Sequence, residues 1–438
     1  MSSDAGPPFH KQRHIKYFLR CLKTFLPRAY TPNDSNRMTL GFFILAGLDL
    51  LDALHTTLTP AERAGYANWI YHCQVPGTGG FRGFPGTDFG AEKGRNEGNE
   101  CWDPANVPAT FFALVTLLIL GDDLGRVRRR ECLAWLRRMQ RHDGSFGDVL
   151  GENGAIEGDR DLRFCCCAVG IRYVLRGEDE GFLGDVEDID TEKLVDYVRS
   201  CQSYDGGFAG APAHEAHAGL TYCALSTLSF LGLTPLETSR DSQTSKSPIT
   251  NCEDLIGWLA FRQTSQLYEL DEDSETGSED GSLHDPETST EKAQPDNTST
   301  TTSLSESISS LPTLQEASQL PADQFSCAGF NGRLNKTADT CYCFWVTGSL
   351  AMLNRLNVAN PTANRNFLLG KTQHMIGGFG KCVDEPPDIL HSYLGLASLG
   401  LFGESDLDEV DPAFCTSMRV RRHLESLPWW KGPGGNGN

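Results

Sequence analysis

The sequence predicts an all-α protein assembled from repeated helical hairpins, and three observations predict it. Apolar residues recur with helical period over stretches of about twelve to eighteen residues, with no series of alternating strands. Gly-rich turns with a Gly-Phe core separate these stretches. The turns recur at near-regular spacing once a single acidic stretch is set aside.

Residues 1–12 are expected to be disordered. Helical period begins near His14, with Ile15, Phe18, Leu19, Leu22 and Phe25 on one face. A Pro/Asn/Asp turn at Tyr30–Ser35 breaks it, and the apolar run Met38–Leu54 is long enough for a buried helix. The turns then follow: CQVPGTGGFRG from Cys73, MQRHDGSFGD from Met139, CQSYDGGFAG from Cys201, a worn copy SCAGFNGR from Ser326, and TQHMIGGFGK from Thr372. Their Phe residues are 81, 146, 208, 330 and 379, giving steps of 65, 62, 122 and 49. Gly supplies a positive φ where a helix stops, and Phe returns the chain to the core. One such turn is an ordinary helix stop. Five at this spacing mark stacked helical hairpins.

The long step contains Ser265–Gln324, with 14 Asp and Glu against one Lys. This Ser/Thr-rich stretch has too few apolar groups to offset its ordering entropy. It is expected to be a disordered insert (265–324) in one domain that spans 13–264 and 325–430, with 431–438 as a flexible tail. The helix before it, Cys252–Gln263, ends in Arg-Gln, and the turn it should enter resumes at Cys327. The stretch carries −13 of the chain's net charge of −20, so the rest is near −7, ordinary for its size.

These balances exclude several functions. No basic stripe exists for nucleic acid. No apolar run approaches the roughly 20 residues that span a bilayer. The opening MSSDAGPPFHKQRHIKYF lacks the apolar region of a secretory signal. With 15 Cys, including the trio Cys165, Cys166 and Cys167, reduced thiols and a cytoplasmic location are expected.

Chemistry concentrates in Gly329–Trp345, GFNGRLNKTADTCYCFW. Asp339 and Cys341 lie two apart, a spacing that suits the first turn of a helix, and His391 lies on another segment. Carboxylate, thiolate and imidazole are good Zn2+ ligands, and three of them leave a fourth position open. An Asp at a helix start is also a common cap. Arg333 and Lys336, three apart, suit a diphosphate as a bidentate cation and a point charge, with Tyr342 as a hydrogen-bond donor. On spacing alone they equally suit a solvated loop. His214-Glu215-Ala216-His217 has its histidines three apart, where a zinc-protease helix needs four. One of them is either a phosphate donor at a helix start or a turn-terminating His. Arg163 enters an apolar helix, facing a cavity or pairing with Asp159 or Asp161.

Taken together, the five turns, EAHAGLTYC, GRLNKTADTCYCFW and DILHSYLGL resemble the β subunits of protein prenyltransferases over nearly the whole chain outside the insert. The resemblance implies an α–α toroid (an α6–α6 barrel), two concentric rings of helices around an apolar funnel, paired with an α subunit. It implies transfer of a prenyl group from its diphosphate to a cysteine near a protein C-terminus. It places Asp339, Cys341 and His391 as zinc ligands, with the substrate cysteine as the fourth. His217, Arg333, Lys336 and Tyr342 fall where the family binds diphosphate, and Arg163 where it meets the substrate's C-terminal end. Leu390 and Leu394 fall on the lipid and peptide pocket.

Two positions separate the family's types. Lys381 stands where farnesyltransferases carry an Asp that helps bind Mg2+, so Mg2+ is not expected to be required. Thr39 stands where farnesyltransferases have a Trp at the pocket floor, leaving room for a fourth isoprene. Both point to the geranylgeranyltransferase type I kind, as do GDDL at Gly121–Leu124 and KYFLRCL at Lys16–Leu22. The expected substrates are geranylgeranyl diphosphate and CaaX proteins such as Rho-type small GTPases, with Leu as the last residue. Leu394 departs from the aromatic of type I members. The alternatives are a Rab-type geranylgeranyltransferase or farnesyltransferase β subunit, or a non-catalytic toroid with a structural zinc.

Overall fold

The computed structural model describes residues 6–86, 104–176, 183–234, 248–268 and 326–432. Among these residues, helices alternate between two rings in chain order: α1 (Lys11–Lys23) and α2 (Arg37–Leu50), α3 (Pro60–His72) and α4 (Val107–Ile119), α5 (Arg129–Arg138) and α6 (Leu162–Leu175), α7 (Thr191–Ser200) and α8 (Ala218–Phe230), α9 (Cys252–Ala260) and α10 (Thr340–Met352), α11 (Pro361–Phe367) and α12 (Ile389–Leu401). The even-numbered helices form the inner ring. Each packs on the next, and α12 returns to α2, so the ring is closed.

Sequence decides which ring a helix joins. Inner α4, VPATFFALVTLLI, is apolar on every side, and eleven of its thirteen residues are buried. Outer α7 buries only Leu194, Tyr197 and Val198, the i, i+3, i+4 stripe of a surface helix. The ring helices run from seven residues in α11 to fourteen in α2, shorter at the outer positions than the period suggested.

The turns explain the repeat. In each one a Gln pairs with the repeat Phe: Gln74 with Phe81, Gln140 with Phe146, Gln202 with Phe208 and Gln373 with Phe379. In the fourth copy Gln263 pairs with Phe330, joining the two sides of the acidic stretch into one turn. All five Phe side chains are completely buried. Gly144 and Gly206 have φ of 92° and 101°. A Cβ on either would meet backbone at the start of the next outer helix, 2.2 Å from the Lys193 carbonyl oxygen and 2.5 Å from the Asp254 carbonyl carbon. Gly is therefore needed both for its conformation and for the close approach of the next repeat. The two-residue ladders in these turns escaped the sequence reading because two residues show no period.

The N-terminal segment corrects an expectation. Residues 6–12 are held in place, not disordered. Pro7 accepts from Arg365 at 3.0 Å, the His10 N–H donates to Gln373 Oε1 at 3.1 Å, and α1 begins at Lys11. The fifth turn rests on α1, where a Cβ on Gly377 would lie 2.1 Å from the Arg13 carbonyl oxygen. This seam closes the outer ring.

At the far end a hairpin, Val410–Asp411 with Thr416–Ser417, leads into α13 (Met418–Ser426). Tyr222 donates to Pro412 at 2.9 Å, Ser226 to Ala413 at 2.9 Å and Tyr393 to Cys415 at 2.6 Å. The hairpin thereby closes the ring where the inner helices end. Of the expected insert, only Ser265–Tyr268 belongs to the described residues. The Gln266 carbonyl accepts from Ala338 N–H at 2.8 Å, so this start of the stretch is tied to the segment entering α10. The rest of the insert, residues 1–5 and residues 433–438 lie outside the described residues.

Candidate metal and anion site

The inner helices occupy the same place in each repeat, so their N-termini share one end of the ring, and the candidate residues lie there. Asp339 is the N-cap of α10, and its Oδ1 accepts from Cys341 N–H at 2.7 Å. The capping role and the ligand role therefore coincide. The fifth turn lies alongside, because Thr340 N–H donates to the Lys381 carbonyl at 2.9 Å. His391, in the first turn of α12, brings Nε2 to 3.4 Å from Asp339 Oδ1. The ligand atoms of Asp339, Cys341 and His391 all lie within 4.8 Å of one another, and all three residues are buried.

Asp388 completes this centre and was missed at the sequence level. It caps α12, accepting from His391 N–H at 2.9 Å, while Oδ2 takes His391 Nδ1 at 2.5 Å. A capping Asp three residues ahead of the candidate ligand was the available signal. A carboxylate behind a ligating imidazole fixes the ring and its tautomer.

The electrostatics suit a cation. Burial opposes charge on His391, but hydrogen bonds to Asp339 and Asp388 outweigh it and raise its pKa to about 9. Burial pushes the Asp339 carboxyl up, yet His391 and Cys341 hold it below its ordinary value. Burial and the Asp339 charge push the Cys341 thiol well up, and Lys381 opposes them. A proton thus sits among the donors of a buried N/S/O set. The donor set fits zinc: Asp339, Cys341 and His391 would hold it, and a cation there would take the place of that proton and favour the thiolate.

The anion side adjoins it. His217 caps α8, and its Nδ1 accepts from Gly219 N–H at 3.1 Å. Burial, with Arg333 and Arg163 nearby, lowers its pKa, so the neutral ring carries its proton on Nε2, 3.0 Å from Tyr342 Oη. Gly332 lies under Tyr342, where a Cβ would come within 2.3 Å of the phenol ring. Arg333 is half-exposed and pairs with Glu215 at 3.4 Å. Lys336 is exposed, and among the described residues no ion pair holds its ammonium. Lys381 is exposed beside α10. Arg333, Lys336 and Lys381 lie on the segments that lead into α10 and α12, whose N-termini also favour negative charge.

The remaining candidates divide. Arg163 pairs with Asp161, the N-cap of α6, at 2.6 Å, and keeps 63% of its side chain exposed. Thr39 lies in the first turn of α2, half-buried. Leu390 is likewise partly open beside His391. Leu394 sits one turn deeper on α12 and is fully buried. Phe112, Phe164, Leu220 and Trp345 are the further partly open apolar side chains near the starts of α4, α6, α8 and α10.

The architecture and this site define a class. Residues 9–416 match the family model of the prenyltransferase alpha-alpha toroid domain. The chain is 30% identical over 432 residues to the geranylgeranyl transferase type-1 subunit beta of Dictyostelium discoideum, covering 95% of this chain and 97% of the relative. It is 28% identical to the Arabidopsis thaliana protein of that description, covering 94% and 90%. The solved Candida albicans protein geranylgeranyltransferase-I complexed with GGPP superposes with a TM-score of 0.70 at 26% identity, covering 96% of this chain and 99% of that one. The chain belongs to the prenyltransferase α–α toroid family.

Proposed function

We propose that the chain is the catalytic β subunit of a zinc-dependent protein geranylgeranyltransferase type I, moving a geranylgeranyl group from its diphosphate to the cysteine of a C-terminal CaaX motif, with Leu favoured last. The observation that carries this reading is the juxtaposition of the Asp339–Cys341–His391 set with the His217–Tyr342–Arg333–Lys336 group at one mouth of the inner ring. Similarity to type-1 β subunits over nearly the full length supports the type.

Zinc held by Asp339, Cys341 and His391 would supply the Lewis acidity that keeps a substrate thiol ionised at neutral pH. Asp388 holds the His391 ring in place. The partly open Phe112, Phe164, Trp345 and Leu390 take the isoprenoid, each buried methylene contributing about 0.8 kcal/mol. Arg333, Lys336 and Lys381 neutralise charge that develops on the leaving diphosphate, and His217 acts there through Tyr342, donating to the phenol whose hydroxyl then donates to the diphosphate. Lys381 stands in for a second cation, so Mg2+ is not required. Arg163, released from Asp161, meets the carboxyl end of the peptide, and Thr39 leaves space for the fourth isoprene.

A partner α subunit fits the exposed apolar side chains at the turn edge. Tyr204, Phe261, Met375 and Ile376 lie 100%, 81%, 76% and 45% exposed in or beside three successive turns. The test is co-expression with a candidate α subunit, followed by competition between farnesyl and geranylgeranyl diphosphate for a Leu-ending CaaX peptide. Preferential farnesyl transfer would reject the type, and no transfer by a stable, zinc-loaded heterodimer would reject the enzyme.

A further inference from the structure

Glu215 is a carboxylate at a mouth read as binding an anion, where its charge opposes that anion. It is 62% exposed and reaches Arg333, 47% exposed, with Oε2 3.4 Å from Nη1. The backbone fixes it there independently of that pair. Ala213 adopts a positive φ of 64°, the His214 N–H donates to Ala211 at 3.2 Å, and the His217 N–H to Phe208 at 2.9 Å. Ala216, the next residue, is buried against Gly207, whose added Cβ would lie 2.7 Å from the Ala216 methyl.

Three contacts join this segment to the loop entering α10. Ala218 N–H donates to the Gly332 carbonyl at 3.0 Å, His217 meets Tyr342 at 3.0 Å, and Glu215 meets Arg333. The first two have buried or half-buried partners. The third is long and exposed, the kind of ion pair that contributes least. It also occupies a cation assigned to the diphosphate. A multiply charged anion arriving at this mouth attracts the guanidinium more strongly than one exposed carboxylate does.

We propose that Glu215 is a positioning residue that parks the Arg333 guanidinium in the empty site, yields it to the incoming diphosphate and reclaims it as diphosphate leaves. The inference rests on the prenyltransferase reading. It assigns Glu215 the task of lowering affinity for the anion while keeping Arg333 in place.

The test measures dissociation constants of the zinc-loaded heterodimer for geranylgeranyl diphosphate, inorganic diphosphate and geranylgeraniol, by competition with a fluorescent lipid diphosphate. Glu215→Gln is expected to bind both diphosphates about two- to five-fold more tightly, the range an exposed ion pair allows. The alcohol, which lacks the anion, should be unchanged. In an Arg333→Gln background the gain should vanish. Unchanged or weaker diphosphate binding by Glu215→Gln would overturn the proposal, as would an equal change for the alcohol. If Arg333→Gln leaves diphosphate affinity intact, the diphosphate assignment fails. If Arg333→Gln weakens binding and Glu215→Gln does not strengthen it, only the parking role fails.

Discussion

His14 and Gln373 stand 359 residues apart in the chain and meet with Nε2 and Oε1 2.9 Å apart. Nδ1 of the same ring accepts from Gly378 N–H at 3.0 Å, and the ring stacks between Phe9 and Phe379 at 5.0 and 4.9 Å. Both nitrogens are occupied in the neutral form. Burial is the main cause of a pKa lowered from 6.5 to about 4. Between these values the unfolded chain binds the proton and the folded chain does not. The contribution is therefore complete above pH 6.5 and lost as pH falls toward 4, to the extent of roughly 3 kcal/mol. Urea unfolding at pH 7.5 and 5 should show the loss. His14→Gln should be less stable at pH 7.5 and have a flatter acid limb, and an unchanged limb would remove His14 as its source.

Cys341→Ala should purify with less than stoichiometric zinc by elemental analysis, while far-ultraviolet circular dichroism stays helical. The residue lies in the first turn of α10, whose remaining turns are held by their own buried side chains. Full zinc content in this variant would strike Cys341 from the ligand set.

Asp388→Asn retains an acceptor for the His391 backbone but removes the charge behind its ring. Zinc affinity should fall about 10- to 100-fold, as measured by competition with a chelator. An unchanged affinity would leave Asp388 with the capping role alone.

Thr39→Trp should shift the lipid preference toward farnesyl diphosphate, and Lys381→Asp should create a Mg2+ requirement. The ratio of kcat/KM for the two lipids, with and without chelator, reads both. A constant ratio would displace Thr39 from the pocket floor. Full activity of Lys381→Asp in chelator would end the argument for charge replacement.

Gly332→Ala tests the anion side without touching a charge. The new methyl would lie about 2.3 Å from the Tyr342 ring and force it off His217. Catalysis should drop at least ten-fold with zinc content unchanged. Normal kinetics would show that the Tyr342–His217 contact is dispensable.

What the sequence reveals follows the reach of each interaction. Turn glycines and the Asp339–Cys341 spacing are local, so they can be read from adjacent letters. His391 lies 50 residues beyond Cys341, so residue chemistry could nominate it as a third ligand but spacing could not show that they meet. The seam could not be read, because nothing near His14 announces a partner at Gln373. The full burial of Leu394 was not legible, because helical spacing gives a face but not a depth. The Glu215–Arg333 pair could not be read, because its partners lie 118 residues apart in the chain.

Ring closure bears on how such a protein can vary. A linear array of hairpins has ends, and it lengthens or shortens by whole units provided its terminal units are polar outside. Here α12 lies on α2 and the fifth turn on α1, so no unit is terminal. Gaining or losing one would change the circumference and draw His391 away from Asp339. The number of units is therefore quantised by geometry, and novelty has to enter between units. The pairing of Gln263 with Phe330 on either side of a long acidic excursion is what such an entry leaves behind.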